Sequence, residues 1–334
     1  MSRSLRNLAT QGLTLGLAGL LLYFALRGVN WSDMAQAFQA AHWGWLIPIA
    51  FTVTFSHAVR AYRWVVFSRD VAPIDGRTLG LSDAFWITMM GYGANYIVPR
   101  SGEFLRGVRA SQRTGLPFSA LMGTIVAERV LDILCLGILL LVVGAVEFER
   151  LEPLMALVSL PSVSTTTLLF AGVATLVISG GALHWGLSRM RDTESRVGAL
   201  LLAFRSGLAT VTHSSRPGAV WGSTLIMWIA YVVMTWLPFL MFGQTDTYGV
   251  GLYDGMVLMA IGALGIVIPS PGGVGSYHFI AIQSLVLLYG FSETDAAAYA
   301  IFSHGAQLVL YVALAVVGML LVGLPRTDQT KNDA

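Results

Sequence analysis

Long apolar runs recur along the whole chain, and they constrain its fold more than any other feature of the sequence. A membrane-spanning helix needs about 20 mostly apolar residues, and it satisfies its own backbone hydrogen bonds. The runs show none of the alternation that is typical of barrel strands. They are residues 8–26, 43–67, 79–98, 116–146, 165–187, 219–242, 252–268, 276–289 and 296–324. The pattern predicts an all-α polytopic membrane protein.

The composition agrees with this prediction. Of the 334 residues, 55% are hydrophobic and 11% are charged, whereas an average soluble domain has about 25% charged residues. The single cysteine, Cys135, excludes a disulfide framework and cysteine-rich metal sites. The net charge of +2 argues against a nucleic-acid partner. No nucleotide-binding or zinc motif is present in the sequence, so no cofactor is predicted.

The distribution of basic residues predicts the orientation of the chain. One set of connections is rich in basic residues: Arg3, Arg6, Arg60, Arg63, Arg69, Arg77, Arg189, Arg191, Arg196, Arg205, Arg216, Arg326 and Lys331. The opposite loops hold only Arg27 and Arg150, beside Asp33, Glu147, Glu149, Glu152, Asp246, Glu293 and Asp295. Cytoplasmic loops of membrane proteins are enriched in Lys and Arg. Both termini are therefore predicted to face the cytoplasm, in a bacterial inner membrane.

One apolar run in the first half of the chain is predicted to turn back inside the membrane. If residues 79–98 crossed the bilayer, Arg106, Arg109 and Arg113 would lie outside, against the charge pattern. A break at residues 95–102 followed by a short returning helix removes this conflict. The sequence therefore predicts a re-entrant hairpin.

The second half of the chain repeats this arrangement upside down. The run 252–268 breaks from Pro269 to Gly275, and the run 276–289 returns. Two interrupted segments in halves of opposite topology are typical of inverted-repeat transporters, whose binding site lies between the breaks. The alternative is that Pro and Gly only kink ordinary spans.

These observations predict one transmembrane domain, 1–334, with about six full spans and two re-entrant hairpins. The first half, 1–150, contains the hairpin near 79–113, and the second half, 217–324, contains the hairpin near 252–290. Residues 31–43 are predicted to form an amphipathic outer helix, and residues 188–216 a cytoplasmic amphipathic connector. Both stretches could also be plain connections that lie close to the bilayer.

Ionisable residues within the apolar depth are the main candidates for a binding site. They are Arg100, Glu103, Glu128, Arg129 and Asp132. Each would cost about 2.5–3.5 kcal/mol near the bilayer centre unless it were paired or hydrated. Glu128, Arg129 and Asp132 share one helical face, and Glu128 is expected to pair with Arg129 or Arg100.

An arginine beside a broken helix is suited to bind a phosphate group. Arg106 shares a helical face with Glu103 in the predicted returning helix, next to the break. The alternative is that these charges only hold the hairpin to its neighbour.

Other polar residues lie near the two breaks. Asn95 can satisfy backbone groups that Pro99 leaves free, and the second break offers a chain approach without bulky side chains. Tyr277, His304 and Gln307 could line a hydrated groove. A competing interpretation is an intramembrane serine protease with Ser276 as nucleophile and His304 as base. The residues of the second break considered for binding are Ser270, Gly272, Gly273 and Gly275.

Three motifs resemble the lysylphosphatidylglycerol synthase transmembrane-domain family. They are NYIVPRSGEFLR at 95–106, ERVLD at 128–132 and PSPGGVG at 269–275. The resemblance implies movement of a lipid with a polar headgroup between leaflets, such as aminoacylated phosphatidylglycerol or a polyprenyl-linked carrier. The sequence ends at Ala334 without a soluble aminoacyltransferase domain, so synthesis of the aminoacyl lipid is not expected.

The sequence thus predicts a lipid translocator rather than an enzyme, with no catalytic residue. Its expected ligand is a lipid with an anionic or zwitterionic phosphate headgroup. Two alternatives stay open, a membrane-embedded lipid-modifying enzyme and a scaffold for envelope lipid synthesis. A homo-oligomer and a lipid-synthesising enzyme are further partners to consider. The predicted binding residues are Asn95, Arg100, Glu103, Arg106, Glu128, Arg129, Asp132, Ser270, Gly272, Gly273, Gly275, Tyr277, His304 and Gln307.

Overall fold

The computed structural model describes most of the chain as helices. The described residues are 16–71, 78–98, 101–147, 149–151, 154, 196–267 and 271–322, and no strand occurs among them. The predicted span 165–187 lies outside the described residues, as do Arg100 and Ser270. The all-helical prediction is confirmed for the described part of the chain.

The described helices follow one another with short connections. They are α1 (Gly16–Leu26), α2 (Trp31–Ala40), α3 (Leu46–Arg69), α4 (Leu81–Ile97), α5 (Ser101–Thr114), α6 (Phe118–Val146), α7 (Arg196–His213), α8 (Pro217–Met241), α9 (Gln244–Tyr248), α10 (Leu252–Val267), α11 (Ser276–Tyr289) and α12 (Glu293–Val322). Three of them, α6, α8 and α12, are long and apolar enough to cross a membrane. The chain is therefore a multi-pass membrane protein.

Helices α3 and α8 run antiparallel and define two ends of the molecule. At one end the amide of His42, just before α3, donates to the carbonyl oxygen of Met241 at 2.8 Å. At the other end the Asp70 carboxylate, just after α3, accepts a hydrogen bond from Ser214 at 2.7 Å. Since a 24-residue helix is about 36 Å long, these ends are separated by more than the thickness of a bilayer's hydrocarbon core.

Helices α4 and α5 form a tight hairpin that begins and ends at the Asp70 end. The amide of Gly102 donates to the Asn95 side chain at 2.7 Å, so Asn95 closes the turn as predicted. A methyl group on Gly102 would lie 2.1 Å from the carbonyl oxygen of Gly91, which shows how closely the two backbones pack. Farther from the turn, Arg113 pairs with Asp83 at 3.5 Å.

Helices α10 and α11 form a second hairpin, which begins and ends at the His42 end. Near its base the Tyr253 hydroxyl donates to Glu147 at 2.7 Å. Its turn reaches the turn of the first hairpin, because Gly272 packs against the ring of Tyr96. The turn of the second hairpin also contacts α1, where the carbonyl oxygen of Ala18 lies close to Gly275.

Two further helices occupy the stretches that were predicted to lie on the membrane surface. Helix α2 is capped by the Asn30 side chain, which accepts from the amides of Ser32 and Asp33. Helix α7 packs along α6, with Gly207 against the backbone at Ala120. The positions of both helices relative to a membrane stay predictions.

Candidate functional site

The centre of the candidate site is a pair of arginines on α3. Arg60 and Arg63 are 4% and 0% exposed, although α3 is otherwise largely apolar. They are three residues apart, so their side chains leave the helix on neighbouring faces and reach the same partner helix. That partner is α6, which carries Glu128 and Asp132.

Both carboxylates of α6 are held by arginines from other helices. Asp132 accepts from Arg63 at 2.6 Å and from Arg60 at 2.9 Å. Glu128, which is fully buried, accepts from Arg106 of α5 at 2.7 Å and lies 3.8 Å from Arg63. The network therefore ties the first hairpin to α3 and α6.

Neutral side chains orient the arginines. The Tyr231 hydroxyl of α8 accepts two hydrogen bonds from Arg60, at 2.9 and 3.2 Å. Arg63 donates to the Thr224 hydroxyl at 3.1 Å. The Arg106 guanidinium lies 4.3 Å from the centre of the Trp64 ring, a cation–π contact.

The network reaches the surface of the helix bundle through one further ion pair. Arg129 of α6 donates to Glu103 of α5 at 2.8 Å and lies 4.0 Å from Asp132. The side chains of Arg129 and Glu103 are 38% and 28% exposed, whereas those of Arg63 and Glu128 are fully buried. An anion could therefore approach the buried part from the Arg129 side. We call the seven residues the charge cluster: Arg60, Arg63, Glu103, Arg106, Glu128, Arg129 and Asp132.

The charge cluster has more positive than negative charge. Its four arginines face three carboxylates, which leaves one positive charge in excess. Three of its buried donors, Arg60 Nη1, Arg63 Nε and Arg106 Nε, have no hydrogen-bond partner among the described residues. One acceptor, Glu128 Oε1, also lacks a hydrogen bond there, but it lies in the ion pair with Arg63. Unused guanidinium donors with excess positive charge favour binding of an anion.

The structure corrects two predictions about the charges. Arg60 and Arg63 were counted among the cytoplasmic positions that follow the second span, but both are buried inside α3. Glu128 was expected to pair with Arg129 or Arg100, whereas Arg106 is its close partner. The boundary drawn at residue 67 was the available signal, because it already placed both arginines inside an apolar helix.

A second polar group surrounds the turn of the second hairpin. His304 Nε2 lies 2.9 Å from the carbonyl oxygen of Gly272, and the His304 ring packs near those of His278 and Tyr277. The Ser276 hydroxyl donates to the carbonyl oxygen of Gly273 at 3.3 Å. Among the described residues, no group of three or more His, Cys, Asp or Glu side chains could hold a metal ion.

Polar and aromatic side chains connect the two groups. His57 of α3, one turn before Arg60, lies 2.9 Å from the Tyr311 hydroxyl, which lies 3.4 Å from Gln307 Oε1. The Tyr92 ring packs against the rings of both His57 and Tyr311. The sequence analysis did not identify His57 or Tyr92 as site residues.

The predicted site residues therefore fall into two neighbouring groups rather than one. Glu103, Arg106, Glu128, Arg129 and Asp132 lie in the charge cluster. Gly272, Gly273, Gly275, Tyr277 and His304 surround the second turn, Gln307 lies between the groups, and Asn95 closes the first turn.

Comparisons with known proteins identify the family. No curated protein and no solved structure matches the chain significantly. Residues 12–315 match the family described as the lysylphosphatidylglycerol synthase TM region. This range includes both hairpins and the whole charge cluster. The chain therefore belongs to the family of the lysylphosphatidylglycerol synthase TM region, a family of membrane proteins related to lipid metabolism or transport.

Proposed function

We propose that this protein moves a lipid with an anionic phosphate headgroup between the two leaflets of a bacterial inner membrane. The observation that carries the proposal is the charge cluster, which has excess positive charge and unused buried guanidinium donors within an apolar helix bundle. A charge cluster that served only to hold helices together would be expected to balance its charges and satisfy its donors.

The physical task of such a transporter is to replace the water around the headgroup. Moving an unpaired ion into hydrocarbon costs many kcal/mol. Arginine side chains can offset this cost, because the guanidinium group donates two parallel hydrogen bonds to a phosphate. In the proposed complex, Arg60, Arg63 and Arg106 donate to the phosphate oxygens while the hydrocarbon chains stay in the lipid.

The arrangement of the hairpins supports a pathway through the middle of the bilayer. The two hairpins start at opposite ends of the helix bundle, and their turns meet where Tyr96 contacts Gly272. We infer that both hairpins are re-entrant and that the headgroup passes between their turns. Tyr92, Gln307 and Tyr311 would offer polar contacts to it between the charge cluster and the second turn.

We further propose that the protein is not an enzyme. The Ser276 hydroxyl is fully buried and donates to a backbone carbonyl, whereas a catalytic serine must present its oxygen to a substrate. A Ser276→Ala variant is therefore expected to keep the transport activity.

Reconstitution into liposomes tests the proposed function. Headgroup-labelled phosphatidylglycerol in the inner leaflet is protected from a membrane-impermeant quencher. Protein-containing liposomes should lose this protection without added nucleotide, and both the wild type and Ser276→Ala should show the loss. A rate no faster than in protein-free liposomes would refute the proposal, and loss of activity in Ser276→Ala alone would favour an enzyme.

A further inference from the structure

We propose that the apolar groove between α6, α8 and α10 holds one hydrocarbon chain of the lipid whose phosphate binds the charge cluster. This inference rests on the proposed function and extends it from the headgroup to the tail. It implies that the lipid enters sideways from the bilayer, with its tail between these three helices.

The groove is lined by apolar side chains from all three helices. Its walls are Cys135, Ile138, Leu139 and Val142 of α6, Trp228, Ile229 and Val232 of α8, and Met256 and Met259 of α10. Several of these side chains are exposed at the surface of the helix bundle: Ile138 is 60% exposed, Val142 50% and Ile229 54%. Methionine side chains adapt their shape readily, which suits a wall that packs against a flexible chain.

The groove is continuous with the charge cluster on two of its three helices. On α6, Asp132 lies one turn before Cys135, and Leu139 and Val142 follow on the same stripe. On α8, Trp228 lies one turn before Tyr231, with the two ring centres 6.1 Å apart. Asp132 and Tyr231 both hold Arg60. A phosphate at Arg60 would therefore place the start of its hydrocarbon chain at the upper end of the groove.

An unused donor lies at this junction. The indole nitrogen of Trp228 is buried and has no hydrogen-bond partner among the described residues. Leaving a buried donor without an acceptor costs about 1–3 kcal/mol. The ester carbonyl groups of a glycerolipid lie between its phosphate and its chains, so one of them could accept this hydrogen bond. The combination favours a diacyl phospholipid as occupant.

A second apolar groove on the same helix provides a contrast. It lies between α3 and α8 and is lined by Phe55, Tyr62, Gly222 and Ile226, among others. On α8 its lining faces away from Thr224 and Tyr231, the residues that contact the arginines. Ile226 is 45% exposed, similar to Ile229, so the two isoleucines form a matched pair on one helix.

The first experiment uses the natural thiol of Cys135 to report occupancy of the groove. The detergent-solubilised full chain is treated with N-ethylmaleimide in the presence of dioleoyl phosphatidylglycerol, dioleoylglycerol or glycerol phosphate. Phosphatidylglycerol is expected to slow the labelling at least fivefold, and the other two compounds are expected to have little effect.

Three outcomes would overturn the proposal. Equal protection by dioleoylglycerol would show a groove that is independent of the charge cluster. Labelling that phosphatidylglycerol does not slow would show that the groove does not hold its chain. A thiol that does not react even without lipid would show that another part of the chain, such as residues 155–195, already fills the groove.

The second experiment compares Ile229→Trp with Ile226→Trp in the liposome assay. An indole at position 229 should fill the groove and lower the transport rate at least fivefold, whereas an indole at position 226 should leave the rate unchanged. Equal rates in both variants would refute the groove while leaving the proposed function intact. Absence of transport in the wild type would instead refute the proposed function, and the Cys135 experiment would then test the groove alone.

Discussion

Arg63 shows how closely the charges of this protein depend on one another. Its side chain is fully buried and lies between Glu128 and Asp132, with Thr224 as a further acceptor. Burying a charge costs several kcal/mol, and only well-placed partners offset this cost. The removal of one partner is therefore expected to cost more than the pair contributes.

This dependence predicts a non-additive effect at Glu128. In Glu128→Ala the excess charge of the cluster rises from one to two and Arg106 loses its close partner, which is expected to cost about 3–5 kcal/mol. In Glu128→Leu combined with Arg106→Met, the excess returns to one, so the cost should be clearly smaller than in Glu128→Ala.

Thermal unfolding of the two variants and of Arg106→Met in detergent measures the difference. A double variant that loses the sum of the two single losses would show that Glu128 and Arg106 do not interact in the folded protein.

The contact between the hairpin turns is the main prediction at the scale of elements. Gly272 has a φ of 60°, and a methyl group there would lie 2.5 Å from the Tyr96 ring. Gly272→Ala is therefore expected to separate the turns and to lower lipid transport at least fivefold.

Gly290→Ala is the matched control. Gly290 has a φ of 68°, so alanine there has a similar backbone cost of about 1–2 kcal/mol, but no atom lies within 4 Å of the added methyl group. If both variants transported lipid equally slowly, backbone strain rather than the contact with Tyr96 would explain the loss.

Packing of α7 on α6 leads to a second prediction at this scale. A methyl group on Gly207 would lie 2.2 Å from the carbonyl oxygen of Ala120, whereas one on Gly222 of α8 would meet no atom within 4 Å. Gly207→Ala is expected to lower the melting temperature. Gly222→Ala should leave it unchanged or raise it, because alanine favours a helix by about 1 kcal/mol over glycine. A Gly207→Ala variant as stable as the wild type would contradict the close packing of these helices.

The sequence was sufficient to predict the elements but not all of their contacts. Apolar length and the Pro and Gly breaks predicted the helices of both hairpins, because these features act locally along the chain. The pairing of Arg106 with Glu128 depends on how α5 and α6 pack, which no local pattern encodes. The same holds for Arg60 and Arg63, whose acceptors on α6 and α8 are distant in sequence.

The loops of the whole molecule divide into two groups that agree with the predicted orientation. At one end Glu147 contacts Tyr253, and Tyr248 contacts Asp295, so loops predicted to lie outside are neighbours. At the other end Asp70 contacts Ser214 and Ser215, in connections predicted to be cytoplasmic.

Thiol labelling in intact cells tests this orientation. Single cysteines at Gln112 and Asp246, in a Cys135→Ser background, are exposed to a membrane-impermeant maleimide. Position 246 is expected to react from outside, and position 112 is expected to react only after the membrane is permeabilised. Labelling of position 112 from outside would show that the first hairpin crosses the membrane.

The central claim of the account is that guanidinium groups of the charge cluster bind the headgroup of a transported lipid. Arg106→Lys tests this claim while keeping the charge, because a lysine cannot donate the two parallel hydrogen bonds of an arginine. The loss of one charge-assisted hydrogen bond of about 1.5–3 kcal/mol predicts a decrease in transport of tenfold or more.

The most direct measurement is the transport rate of headgroup-labelled phosphatidylglycerol in liposomes containing Arg106→Lys or Arg113→Lys. Arg113 lies two turns away on the same helix and pairs with Asp83 outside the charge cluster, so it controls for the chemical change alone. The account predicts slow transport in Arg106→Lys and a wild-type rate in Arg113→Lys. A wild-type rate in folded Arg106→Lys would contradict it.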